Sequence, residues 1–237
     1  MAGLSSLPNV TCLELDVTSQ SSIDNAVATV RETAGGRLDG LVNNAGAAIM
    51  GPAIDTDMLQ ARRLFDVNYW GMVAMTKAFA EMLIAAQGAV VNIGSISGVL
   101  NAPFTSMYAA SKSATLTYSE TLRLEFAPFK VKVLTVVAGV VKSHIGDNTH
   151  VSIPQESLYR DAKEALDERV KNAGASVQVT AERFAEQLVR AVELGQSGQI
   201  WIGGSAGTVK MMRNLLPASI LDRLVSQGTG LEKVKKD

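Results

Sequence analysis

Residues 89–112 read AVVNIGSISGVLNAPFTSMYAASK. The run AVVNI, residues 89–93, lies between Gly88 and Gly94 and is short, apolar and β-branched, which predicts a strand. Residues 107–126 then carry helical periodicity, and Pro128 stands just beyond them as a stop. AVVNI is apolar on both faces, the pattern of a strand inside a parallel sheet covered on both sides. Working outward, residues 10–15 (VTCLEL), 40–43, 131–137 (VKVLTVV) and 199–202 read as four more strands. Each pair is separated by enough chain for a crossover helix. Thr18, Ser19 or Ser21 can cap a first helix with Ile23, Ala26, Val27 and Val30 on one face, stopped by Gly35 and Gly36. Asp57 can cap a second helical region, interrupted near Asn68 and Gly71 and ending at Gly88. A further helix is expected near residues 181–194. The expected fold is therefore α/β, with a parallel sheet between helical layers.

Composition narrows the function. The chain has 237 residues, 47% hydrophobic and 19% charged, enough to bury a full core in one large domain or two small ones. Lys and Arg total 22 against 23 Asp and Glu, for a net charge of -1. Nucleic-acid binding calls for clustered positive charge, which is missing. Cys12 is the single cysteine, so no disulfide forms within the chain, and with only His144 and His150 there is no credible zinc set. No apolar run approaches the roughly 18 residues of a membrane span, and MAGLSSLPNV is not a signal peptide. A cytoplasmic protein is expected. Residues 1–208 read as the main domain, with a more polar insertion at 140–175 above the sheet. Residues 209–237 read as a helical tail broken at Pro217, with frayed last residues. The stretch 210–224 mixes Lys210 and Arg213 with Met and Leu; it suits lipid contact, although a helix packed on the domain is the commoner outcome.

Tyr108 and Lys112 are four residues apart and share a helix face. A lysine beside a phenol favours the phenolate, so the Tyr108 pKa is expected to fall and the pair to move a proton near neutral pH. A half-buried Tyr with a snorkelling Lys has the same spacing. Ser95 follows the strand AVVNI, at the carboxyl edge where open parallel sheets form their ligand crevice. There it can bind a carbonyl oxygen. Asn43, Asn44 and Gly46 end the neighbouring strand at the same level, where the asparagines would shape the crevice rather than react.

These pieces, taken together, resemble the short-chain dehydrogenase/reductase family. The resemblance rests on Asp16 in LELDVTS, Asn43-Asn44-Ala45-Gly46, Asn68 in FDVN, Ser95 in NIGSISG, and Tyr108 and Lys112 in YAASK. It spans residues 10 to about 205. LFDVNYWG, VVNIGSISGVL and TLRLEFAPFKVKVLTVVAG look most like fungal reductases similar to acyl-dihydroxyacetone-phosphate reductase. The resemblance implies a Rossmann-like three-layer fold and an oxidoreductase using NADP(H) or NAD(H). Tyr108 would protonate the forming alkoxide, Lys112 would lower its pKa and hold the nicotinamide ribose, and Ser95 would bind the carbonyl. Asn68 would anchor a water linking Lys112 to solvent. Asp16, Asn43, Ala45 and Gly46 would flank the cofactor, with Val140 and Ser143 on its nicotinamide side. The family also implies a homo-dimer or tetramer, through helices carrying Asn68 and Tyr108.

The family opens with a strand, a TGxxxGxG loop and a helix, and this sequence contains none of them. Gly35-Gly36 and GSAG at 204–207 do not replace the loop. By resemblance the sheet would normally run 3-2-1-4-5-6-7. A sheet truncated at its N-terminal side is expected to pair residues 10–15 directly with 40–43, giving five strands in family order 3-4-5-6-7, or else to exchange elements between chains. Ala138-Gly139 stands where the family often has Pro-Gly.

Three functions remain open from the sequence. The first is an NAD(P)-dependent reductase of a hydrophobic ketone or an acyl or polyketide-like carbonyl. The second is a cofactor-independent isomerase, dehydratase or cyclase using the Ser-Tyr-Lys site. The third is a non-catalytic partner subunit. Val99, Leu100, Phe104, Ile145, Ile153 and Tyr159 are expected at the mouth of an apolar substrate pocket, with His144 adjacent.

Overall fold

A computed structural model describes residues 4, 7–143, 145, 149–171 and 178–234. Four parallel strands form the central sheet: β1 (Gly40–Asn43), β3 (Ala89–Ile93), β4 (Lys132–Ala138) and β6 (Gly198–Ile202), in the order β1-β3-β4-β6. Two short strands, β2 (Ala48–Met50) and β5 (Thr149–Val151), make a separate parallel ladder beyond its carboxyl edge.

Register explains the layers. Leu41, Val90 and Val133 line up across neighbouring strands and point to one face. That face is covered by α1 (Gln20–Thr33), α3 (Met72–Ala86) and α4 (Ser106–Phe126), through Ile23, Met75, Phe79, Leu83 and Leu122. Val91, Leu134, Val136 and Ile200 point the other way and pack on α6 (Ala181–Glu193). Helix α6 reaches β6, β4 and β3 but leaves β1 uncovered, so Val42 on β1 stays 52% exposed.

The expected strand at 10–15 does not form, which corrects the five-stranded order. Val10, Leu13 and Leu15 are exposed, and β1 pairs with β3 alone. The other four strands keep their expected sequence across the sheet. The cause is helix packing: α1 is seated on α3, and Val17 fills the space where a Cβ on Gly71 would come within 2.7 Å of its Cγ2. β-propensity without a partner across the ladder does not make a strand. Ser19 caps α1, as one of the three residues able to, and Asp57 caps α2 (Met58–Phe65) through the backbone N–H groups of Leu59 and Gln60.

Between α2 and α3 the chain makes a π-helical turn, Asp66–Gly71. This is the interruption read at Asn68 and Gly71; such bulges recur at functional sites. The tail forms α7 (Ala206–Leu215) and α8 (Ala218–Ser226), with Pro217 between them. A final 3-10 turn, Leu231–Lys233, follows, and Leu231 and Val234 pack into a small cluster with Phe104, Ile153 and Leu166. The described part of that end is thus docked rather than frayed. Among the described residues, no helix is long and apolar enough to cross a membrane.

One polar row crosses the interior. Asn43, Asn92 and Thr135 are register partners. Asn43 Nδ2 donates to Asn92 Oδ1 at 2.8 Å and to Thr76 Oγ1 at 3.1 Å, while Asn92 Nδ2 donates to Ser119 Oγ at 2.9 Å. Thr135 donates to Glu120 Oε1 at 2.6 Å. Burial makes each of these bonds costly to break. Asn92→Ala is expected to lower unfolding free energy by about 2–4 kcal/mol, the range for a void plus unpaired polar neighbours, read by urea denaturation.

Candidate active site

Helix α4 is seated by a stripe of small hydroxyls at four-residue spacing, Ser111, Thr115 and Ser119. Thr115 Oγ1 donates to the Asn68 carbonyl at 3.1 Å, and Asn68 Nδ2 donates to Ser111 Oγ at 3.0 Å. Asn68 also donates to the Ala47 carbonyl and accepts from the Ala47 N–H, at 3.0 and 2.9 Å. Both ends of its amide are therefore engaged. Gly94 permits close approach of α4 to the end of β3, since a Cβ there would lie 2.4 Å from Leu116 Cδ2. The result places Tyr108 and Lys112 over the carboxyl edge of the sheet.

Ser95, Tyr108 and Lys112 line one cavity of about 890 Å³. Ser95 is buried and its Oγ accepts from the Ser97 N–H at 3.1 Å, leaving its O–H free to donate. It bonds the Tyr108 hydroxyl. Lys112 is buried, and Nζ donates to the Ile93 carbonyl at 2.9 Å. Asn44, Ala45, Gly46, Gly139, Val140, Ser143 and Ile145 continue the wall. A Cβ on Gly46 would lie 3.4 Å from Asn68 Oδ1 and 3.6 Å from Lys112 Nζ, so Asn68 stands directly behind that wall.

The electrostatics differ from the sequence expectation. Burial raises the Tyr108 pKa above its ordinary 10.0, and the Ser95 hydrogen bond opposes this only in part. Burial lowers Lys112 from 10.5 to about 8. Desolvation penalises charge on both groups, and it outweighs the lysine's pull on the phenol. The free site therefore holds a neutral phenol, a proton donor, beside an amine that loses its proton readily.

Several expected residues lie elsewhere. Asn43 is turned into the buried row. Asp16 is exposed in the turn before α1; Thr18 N–H and Oγ1 donate to its carboxylate and lower its pKa. Neither side chain is among those lining the cavity. Val99 borders a separate cavity with Glu120, Arg123 and Arg213. Phe104 and Tyr159 meet edge to face at 5.8 Å in the small apolar cluster with Ile153. His144 lies outside the described residues. Conversely, Ala181, Phe184 and Leu188 of α6 form a cavity wall that the reading of residues did not assign. The i, i+4 spacing of Phe184 and Leu188 was their only sequence signal, and a core-facing helix has the same one. Among the described residues, no group of three His, Cys, Asp or Glu is placed to hold a metal.

An open parallel sheet with a Ser–Tyr–Lys cluster at its carboxyl edge defines a class of oxidoreductase fold. A family model for short chain dehydrogenase matches residues 3–153, and the chain belongs to that family. It is 36% identical over 217 residues to the short-chain dehydrogenase PC-15 of Penicillium crustosum, covering 92% of this chain and 80% of that one. It is 38% identical over 231 residues to an NADPH-dependent 1-acyldihydroxyacetone phosphate reductase of Schizosaccharomyces pombe, covering 90% and 77%. The crystal structure of a short-chain dehydrogenase from Streptomyces avermitilis superposes with a TM-score of 0.78 at 28% identity, covering 98% and 82%.

The Lys112 shift has a signed consequence. Between about pH 8 and 10.5 the unfolded chain holds the lysine proton more tightly than the folded one, so stability rises with pH across that window. The rise is on the order of 3 kcal/mol. It is expected in urea titrations of the native chain and absent from Lys112→Met. In the free protein, difference absorbance against Tyr108→Phe should show the Tyr108 phenol ionising at a higher pH than an ordinary tyrosine.

Proposed function

We propose that the protein reduces the carbonyl of an apolar small molecule, with NADPH or NADH as the hydride source. The observation that carries this reading is the convergence of Ser95, Tyr108 and Lys112 on one large cavity. Identity to the S. pombe reductase supports NADPH and an acyl-type carbonyl as the first candidates.

The residues present suit the nicotinamide end of such a cofactor. Lys112 donates one N–H to Ile93 and has the others to offer a ribose diol. Val140, Val141 and Ile145 are an apolar wall against which a ring can lie. When bound, the reduced nicotinamide supplies hydride to the carbonyl carbon, chemistry that no side chain provides. Ser95 O–H and Tyr108 O–H both donate to the carbonyl oxygen as negative charge builds on it. Tyr108, held neutral by burial, then gives up its proton to form the alcohol. Lys112, lowered to about 8, can return a proton towards the phenolate and also stabilises it by charge. Asn68 fixes Ser111 and so the pitch of α4 that brings Tyr108 and Lys112 together.

The wall residues support a hydrophobic substrate: Ile93, Phe184 and Leu188 sit among few charged groups. Trp70 and Leu124 are 57% and 63% exposed, which supports a dimer contact across the π-turn and α4. A second reading, cofactor-independent proton transfer at the same three residues, has one observation in its favour. Among the described residues, no glycine-rich strand-to-helix turn borders the cavity to cradle a pyrophosphate.

Titration of this chain with NADPH and NADH separates the two. Micromolar binding, with turnover of an acyl ketone that Tyr108→Phe lowers by roughly 10²–10⁴-fold while binding persists, is the expected result. Absence of binding at millimolar nucleotide would overturn the reductase reading for this polypeptide.

A further inference from the structure

We propose that the Asp55–Ser157 hydrogen bond is a positioning pair that holds two walls of the active-site cavity and so sets substrate affinity; the proposal rests on the reading of that cavity as the carbonyl site. Asp55 ends a 3-10 turn, Ala53–Asp55, just ahead of α2. Ser157 lies 102 residues further on, is 4% exposed, and donates its hydroxyl proton to Asp55 Oδ2. Ser157 Oγ in turn accepts from the Tyr159 N–H at 2.9 Å. Ser157 also takes part in two turns, donating to the Pro154 carbonyl and accepting from the Arg160 N–H. A hydroxyl-to-carboxylate bond is charge-assisted and stronger than a neutral one, and here its donor is buried and its acceptor half-buried.

The topology makes this tie matter at a distance. The chain leaves β4 and lines the cavity with Val140, Val141, Ser143 and Ile145. It then forms β5 on β2, passes Ser157, and continues through a helix, α5 (Lys163–Lys171). On its return Val179 bridges to Val141, the Lys142 N–H donates to the Val179 carbonyl at 2.9 Å, and α6 begins. Ala181, Phe184 and Leu188 of α6 are the second wall. Both walls are thus the two ends of one excursion, stitched to each other where they meet. Its middle is packed through Ile153, Ala162, Leu166 and Tyr159, with Phe104 of the main body edge-on to Tyr159. A packed unit moves together, so a tie at Ser157 restrains both ends.

Amide hydrogen exchange on the native chain, Ser157→Ala, Asp55→Ala and Ser157→Thr tests this without relying on turnover. Exchange at residues 141–143 and 181–188 is expected to quicken roughly tenfold in both alanine variants, as for loss of a charge-assisted bond from a local opening equilibrium, and to return with threonine. The double alanine variant should add little to either single one. In turnover assays KM for the carbonyl should rise about tenfold with kcat within about twofold, the pattern of lost uniform binding. Faster exchange confined to residues 152–162, with both walls and KM unchanged, would reduce the pair to a local tie and overturn the proposal. If an alanine variant does not fold, Asp55→Asn, which keeps an acceptor oxygen but not the charge, should give an intermediate effect at both walls; native exchange there counts against the pair. A native chain that reduces no carbonyl with NADPH or NADH fails the functional reading, and the exchange pattern still decides the clasp.

Discussion

The buried polar row Asn43–Asn92–Thr135 is the constraint on which the site depends. It lies on the face that packs α3 and α4, two residues along each strand from the apolar row Leu41–Val90–Val133. An apolar row would let α4 slide or rotate on the sheet at little cost. Amides and hydroxyls do not, because each must meet a partner at a set distance and angle. Asn92 on Ser119 and Thr135 on Glu120 fix the middle of α4, and Asn68 on Ser111 fixes its start. Among the described residues, no buried side-chain polar atom is left without a partner. Tyr108 and Lys112 inherit their positions from this arrangement.

The same burial that orders the helix sets the proton chemistry. Tyr108 and Lys112 are pushed in opposite directions on the pH scale by one cause, exclusion of water from their polar ends. Each is moved towards its neutral form. A neutral phenol beside an amine whose pKa is lowered to about 8 can donate a proton.

Most of the framework was legible from local pattern. The strand at 89–93 matched to the residue, the helix expected near 181–194 runs Ala181–Glu193, and the interruption at Asn68 proved to be a π-helical turn. These features follow from glycine boundaries, cap residues and apolar periodicity, which act over a few residues. Residues 10–15 had the composition of a strand and did not become one, because a strand needs a neighbour and α1 packing sets where that segment lies. Ladder β2–β5 was not read at all: its strands are three residues each, about 100 residues apart, and pattern at that length carries little information. Phe104, Ile153 and Tyr159 were readable as apolar but not as partners of one another and of the C-terminal Leu231 and Val234.

The sequence by itself determined the α/β alternation, the placement of Ser95 after a strand, and Tyr108 and Lys112 on one helix face, since these depend on bonds and periodicities local to the chain. Only the tertiary structure decided how those groups are charged, which strand is the sheet edge, and that α6 rather than Phe104 or Tyr159 walls the cavity. Desolvation, strand pairing and the meeting of distant segments are properties of what surrounds a residue in space, and chain neighbours do not specify them.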